Sequence, residues 1–292
     1  MLRLGQIDYL NTQPLYSTLD RHLRGPVRVV RGVPTALNRA LMADEVDLAP
    51  ISAIEAARHA DQVVVLPDLA IASLGAVRTV LLFSWRPDPR ELDGRVIAVS
   101  DHSATSVALL DVLCRERYAI SAELRPMPQD LEHMLAVAEA ALLIGDAALV
   151  EAVRHRAFPR PALGPNAIAR PYIFDLGDEW LKMTGLPFVF ALWSARRDRL
   201  EAVQAAGAPH ALLAARAEGI AAIPDIARAY APRLGLEPGT CATYLRDLRY
   251  TLGPDEIEGL TTFCAWHCPN SSRPAYTLPG PLSGDRLNSP EV

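Results

Sequence analysis

Four stretches of this 292-residue chain carry polar side chains where a small ligand would need them. In YLNTQPLY (9–16), Asn11 follows a strand-like run and is separated from Pro14 by two residues. Its amide is thereby set at the carboxyl end of a strand, the edge at which open α/β sheets take ligands. By residue type alone, a helix cap or a turn is the commoner job for an asparagine there. In SDHSATSVALL (100–110), a strand runs into Ser103, Thr105 and Ser106 just before an apolar helix. A helix start offers free N–H groups and partial positive charge, which suits a carboxylate or phosphate. A simple cap needs one hydroxyl, and three within four positions favour an anion site. In LLIGDAAL (142–149), Gly145 permits close backbone approach and Asp146 heads the next helix, able to orient a ligand hydroxyl or to cap. In LAPISAIE (48–55), Ser52 ends a strand at another helix start, with the same two readings.

None of these is a catalytic signature. The chain has no G-x-S-x-G, no P-loop and no G-x-G-x-x-G, and its seven histidines show no pairing at ligand spacing. Cys264, His267 and Cys268 sit close together, but their spacing matches no zinc pattern and no second cluster completes four ligands. No metal or cofactor is expected, and the four cysteines read as reduced thiols. From residue types alone, the chemistry reaches only the binding of a small anion by neutral donors.

The elements that must position these loops alternate. LRLGQI, VRVVRG, the run ending at Pro50, and QVVVLPDLAIAS read as strands, with helices at PLYSTLDRHL, after Pro34, and at ISAIEAARHA. Repeated strand–helix–strand units with apolar strands predict an α/β fold of mainly parallel sheets with flanking helices. The polar stretch RPDPRELDGR marks a crossing into a second unit of the same kind, and LPFVFALWSARRD marks the return. The expected domains are therefore 1–84 plus 195–268, and 85–194, joined twice so that they can hinge on a ligand. The remainder is helical, and the Pro-, Ser- and Gly-rich residues 269–292 read as a flexible tail.

Composition narrows the class. Half the residues are hydrophobic, yet no apolar run approaches the ~20 residues of a membrane-spanning helix. The net charge is −5 and the arginines form no stripe, so neither a membrane nor a nucleic acid is an expected partner. MLRLGQIDYLNTQPL passes directly into strand-like sequence without a secretory pattern, which predicts a cytoplasmic protein.

The ordered series YLNTQPLY, SAIEAAR, LPDLAIASLGAVRTVLLFS, SATSVALL, LLIGDAAL and FDLGDEWLKMTGLPFVFALW resembles the chorismate dehydratases of the futalosine route to menaquinone. The resemblance runs from about Leu2 to Cys264. The sister dihydroxynaphthoate synthases typically open with a Pro-Asn-Asp type motif that is missing here. The resemblance implies a two-domain periplasmic-binding-protein type II-like fold with a ligand cleft between the domains. It also implies a lyase that turns chorismate into 3-[(1-carboxyvinyl)oxy]benzoate and water. In that family the substrate's own enolpyruvyl carboxylate is thought to take the ring proton, so the protein would supply orientation and electrostatics.

Carried over residue by residue, Asn11 would orient the substrate or assist the departing hydroxyl. Thr79, where relatives commonly have Ser, would offer its hydroxyl. Ser103, Thr105 and Ser106 would hold one carboxylate and Ser52 the other, with Gly145 and Asp146 lining the cleft. Ala53 and Ala56 stand where relatives often show Ser and Tyr. The competing expectation is a non-catalytic solute-binding protein for a small anion, which needs the same loops.

Overall fold

The computed structural model describes residues 1–156 and 170–267. Its strands are β1 (Leu2–Ile7), β2 (Val27–Gly32), β3 (Leu48–Ser52), β4 (Val63–Ser73), β5 (Val80–Ser84), β6 (Val96–Ser100), β7 (Glu123–Met127), β8 (Ala140–Ile144), β9 (Tyr172–Asp175), β10 (Phe188–Arg196) and β11 (Leu248–Arg249). They form one sheet in the order β11-β4-β10-β3-β1-β2 and another in the order β7-β6-β8-β5-β9. Around them lie α1 (Gln13–Tyr16), α2 (Pro34–Met42), α3 (Ala53–Arg58), α4 (Thr105–Val112), α5 (Leu131–Val137) and α6 (Gly145–Arg156). They are followed by α7 (Leu176–Thr184), α8 (Leu200–Ala205), α9 (Ala208–Ala221), α10 (Ile223–Leu234), α11 (Pro238–Asp247) and α12 (Pro254–His267). The expected tail 269–292 lies outside the described residues.

The sheets are mixed rather than mainly parallel. β1 is parallel to β2 and β3, and β6 to β7 and β8, as the strand–helix–strand pattern requires. β10 enters antiparallel between β3 and β4, and β5 antiparallel between β8 and β9. These two reversed strands are the ones that follow a passage from one sheet to the other.

The same pairing moves both crossings. Val80–Ser84 already belongs to the second sheet and Phe188–Arg196 to the first, so the chain passes between them at 74–79 and 185–187. The expected domain boundaries at 84/85 and 194/195 lie about one strand further along the chain than these passages between the sheets. RPDPRELDGR is a surface loop within the second unit, with a 3-10 turn at Pro89–Leu92. Strands buried along their whole length, such as VLLFS, show no alternation that would assign them to a sheet.

Both crossings are clamped by the DLGDEW…TGLPF stretch. The Asp175 carboxylate caps α7 through the Gly177 and Asp178 N–H groups. It also accepts from the N–H groups of Val77 at 3.0 Å and Arg78 at 2.7 Å. Those four donors hold a carboxyl whose pKa burial raises. Arg78 sits at φ 64°, a conformation costly for a non-glycine residue, and the clamp holds it there. At the second crossing, Trp180 is fully buried, donates to the Pro187 carbonyl at 3.1 Å and meets Phe188 edge-on at 5.2 Å. Burying such an aromatic is worth roughly 3 kcal/mol. One apolar core cluster joins residues of both sheets, among them Leu4, Ile51, Leu82 and Val99, and a smaller one collects Leu81, Phe83 and Leu143 of the second sheet.

Candidate active site

The carboxyl ends of β1, β3, β6 and β8 converge where the two sheets face each other. They enclose a cavity of about 60 Å³ that Asn11, Ser52, Thr79, Ser103, Ser106 and Gly145 line, between apolar walls that include Ile71 and Phe190. Six of the residues expected from the sequence therefore meet in one place. Thr105 and Asp146 do not line it.

Asn11 lies in a 3-10 turn, Leu10–Thr12, between β1 and α1. The turn is fastened by its neighbours. The Thr12 hydroxyl donates to the Ile7 carbonyl at 2.7 Å, and the Gln13 amide donates to the Tyr9 carbonyl at 3.2 Å. Asn11 makes no cap, and its Oδ1 is buried without a hydrogen-bond partner. An orphaned buried acceptor costs about 1–3 kcal/mol, so this one is held at the cavity for something else.

Ser52 makes no cap bond either. Asn38, on α2, grips it twice, donating to its hydroxyl at 3.0 Å and accepting from its N–H at 3.0 Å. With a lone pair occupied, the Ser52 O–H is free to donate into the cavity. Across the cavity, the Ser103 hydroxyl accepts from the Ser106 N–H at 3.1 Å and donates to the Ser106 hydroxyl at 2.9 Å. Ser103 thus does the capping, and the Ser106 hydrogen is left over at the start of α4.

Thr105 points the other way, because adjacent helical residues diverge by about 100°. Its hydroxyl accepts from the Ile54 N–H at 3.3 Å, tying α4 to α3. Asp146 likewise faces out of the cavity. Its carboxylate accepts from the Leu10 N–H and the Tyr230 hydroxyl, each at 3.0 Å. Burial raises its pKa, while these two partners oppose the rise. Both residues are fasteners between the halves. Gly145 has a different task again. At φ 62° a Cβ there would come within 2.7 Å of the Tyr9 ring, so only glycine lets that ring lie on the backbone.

Three contributors escaped the sequence reading. Asn38 looked like an ordinary helical residue, with only its poor helix propensity as a signal. Tyr9 lines the cavity, and its hydroxyl lies 3.3 Å from His102 Nδ1, which also meets the Gln129 amide at 3.1 Å. Tyr244, on α11, brings its hydroxyl to 3.1 Å from that of Thr79.

Among the described residues, the lining side chains include no Lys, Arg, His, Asp or Glu, and Tyr9 is the one ionisable group. Burial first, and then the charge of Asp146, push its pKa above the usual tyrosine range, so it stays a neutral phenol. Among the described residues, no group of three or more His, Cys, Asp or Glu side chains is placed to hold a metal ion, and no helix is long and apolar enough to cross a membrane. The site is suited to hold carboxylates by hydroxyl and N–H donors and to orient a ring between apolar walls. It offers no strong base.

The menaquinone-biosynthesis family model matches residues 2–267. A curated chorismate dehydratase of Thermus thermophilus is 36% identical over 262 residues, spanning 89% of this chain and 93% of that protein. Among solved structures, an Archaeoglobus fulgidus protein superposes with a TM-score of 0.67 at 20% identity, covering 91% of this chain and 96% of its own. The alkanesulfonate-binding protein SsuA of Xanthomonas axonopodis pv. citri, bound to MOPS, superposes at 0.62 with 13% identity, covering 90% of each. The two structural likenesses establish a periplasmic-binding-protein type fold.

Proposed function

This chain belongs to the menaquinone-biosynthesis family, and from that membership we infer that it is a chorismate dehydratase, a hydro-lyase that forms 3-[(1-carboxyvinyl)oxy]benzoate and water. The observation that carries the inference is the end-to-end match to a curated dehydratase. A cavity equipped with neutral donors and, among the described residues, no charged side chain supports it.

The chemistry fits such a site. Loss of the ring proton beside the enolpyruvyl ether leaves an anion delocalised into the diene carboxylate. Expulsion of the neighbouring hydroxyl then completes an aromatic ring, so the driving force lies in the substrate. The enolpyruvyl carboxylate takes the proton and returns it to the departing oxygen, which leaves as water. The protein's share is placement, and holding a reactive conformer is worth several orders of magnitude. Ser52 on one side, and Ser106 backed by Ser103 on the other, each offer a hydroxyl hydrogen to one carboxylate. The unpaired Asn11 oxygen accepts from the ring hydroxyl and aligns its C–O bond with the π system. Thr79 lines the same cavity. A cavity of about 60 Å³ is well below the roughly 300 Å³ of a small-molecule pocket, so the halves part to admit the substrate and close on it. With this reading go a step on the futalosine route and a cytoplasmic location, both carried by the motif resemblance.

Mixing the purified protein with chorismate tests the function. We expect the cyclohexadiene signals to disappear from the NMR spectrum as one equivalent of aromatic product appears. Chorismate that binds yet survives unchanged would make the protein a solute-binding protein, as its fold neighbour is.

A further inference from the structure

We propose that His102 is a positioning residue of this site, its Nδ1 accepting the Tyr9 hydroxyl so that the Tyr9 ring, carried by the first sheet, is held against the second. The proposal rests on the dehydratase reading and deepens it by naming a contact that keeps the cavity closed on its substrate.

Tyr9 follows β1, yet its side chain meets the residues that follow β6 and β8 of the other sheet. Its ring lies on the backbone of Gly145, where a Cβ would come within 2.7 Å of it. Its hydroxyl is 3.3 Å from His102 Nδ1, and the Gln129 amide nitrogen, after β7, is 3.1 Å from the same atom. Gln129 fixes the donor roles. Its Oε1 accepts from the Ile144 N–H at 2.6 Å, so the amide turns its NH2 group toward the imidazole. An NH2 group only donates. Nδ1 is therefore the acceptor, and the ring hydrogen sits on Nε2, 3.5 Å from the Asp101 carboxylate. With Nδ1 bare, Tyr9 is the donor in its own bond to His102. The backbone of His102 is fastened too: its N–H donates to the Ser100 hydroxyl at 3.1 Å, and its carbonyl accepts from the Thr35 N–H of α2 at 3.2 Å. His102 does not line the cavity and Tyr9 does, so the imidazole acts on the substrate through the phenol. A cavity of about 60 Å³ must open to admit chorismate, and a bond made across it favours the closed form. Apparent affinity falls in proportion as that form is depleted.

His102→Ala deletes the acceptor. His102→Asn keeps one, since the asparagine Oδ1, like the imidazole Nδ1, is bonded to Cγ. With chorismate as substrate we expect His102→Ala to raise KM about three- to tenfold, the worth of one neutral hydrogen bond, and to change kcat by less than about twofold. His102→Asn should stay within about twofold of wild type in both, because the acceptor is restored. On the His102→Ala background, Tyr9→Phe should add less than about twofold to KM, since the two side chains act through one contact. An unchanged KM in His102→Ala would overturn the proposal, as would an asparagine variant no better than the alanine one. So would a full further rise on adding Tyr9→Phe, or a loss confined to kcat, which would place His102 in the chemical step. Wild type that binds chorismate without consuming it would overturn the dehydratase reading alone. Calorimetric Kd values for chorismate would then decide the role of His102: raised in His102→Ala and restored in His102→Asn they support it, and equal values overturn it. Wild type that neither binds nor consumes chorismate would overturn both.

Discussion

Asn11→Ala should lower kcat on chorismate roughly hundred- to thousandfold, the scale seen when one preorganised hydrogen-bonding group is taken from an active site. It should do so without loss of stability. A capping asparagine would cost about 1 kcal/mol on truncation, but here Thr12 and Gln13 fasten the turn. The Asn11 oxygen is instead an unpaired buried acceptor in the free protein, and its removal relieves that cost. Steady-state kinetics with thermal melts of the same variant separate the roles by sign. Lost turnover with an unchanged or raised Tm supports the orienting role. Normal turnover with a lowered Tm would return Asn11 to the cap or turn that its residue type first suggests.

Gly219→Ala should be the most destabilising of the simple substitutions, although Gly219 does not line the cavity. A Cβ at this position of α9 would lie 1.8 Å from the Pro14 carbonyl oxygen and 2.5 Å from its carbon. Both are backbone atoms of α1, so no side chain can swing aside and the two helices must separate. Overpacking of this kind costs about 3 kcal/mol. For a chain of this size that lowers Tm by roughly 6–12 °C. Because α1 continues the turn that carries Asn11, kcat should fall as well. Gly239→Ala is the control, for a Cβ there meets nothing within 4 Å and should not lower Tm. Equal melting points for the two variants would mean that α9 and α1 do not depend on that contact.

Much of this architecture was legible because strand ends and helix starts have local signatures. Ser103, Ser106, Ser52, Gly145 and Asn11 all follow apolar strands, and the carboxyl ends of such strands gather at one edge of a sheet. What was not legible depends on direction and on distant partners. Thr105 and Ser106 are neighbours of similar type, and only the helical screw decides that one faces Ile54 and the other the cavity. Asp146 follows a cavity-lining glycine, yet its carboxylate turns to Leu10 and Tyr230. Tyr244 is 165 residues from the threonine it meets, and no spacing rule connects them. The passages between the sheets differ from the expected boundaries for a related reason. Polar surface loops resemble linkers, whereas the passages between the sheets are short stretches without a linker's composition, held by Asp175 and Trp180.

The central claim is that the cavity orients a substrate which supplies its own base. The pH dependence of kcat at saturating chorismate tests this most directly. Among the described residues, no carboxylate, imidazole or amine lines the cavity, and the pKa of the Tyr9 phenol is raised, so it remains neutral well into the alkaline range. The substrate's carboxylates are ionised above their ordinary range of about 4. Between about pH 6 and pH 9 no group in contact with the substrate changes charge, and kcat should vary by less than about twofold. A sigmoidal or bell-shaped profile with a midpoint inside that interval would contradict the claim. It would bring an ionisable side chain into the chemical step, with His102, bonded to the Tyr9 hydroxyl, the first to examine.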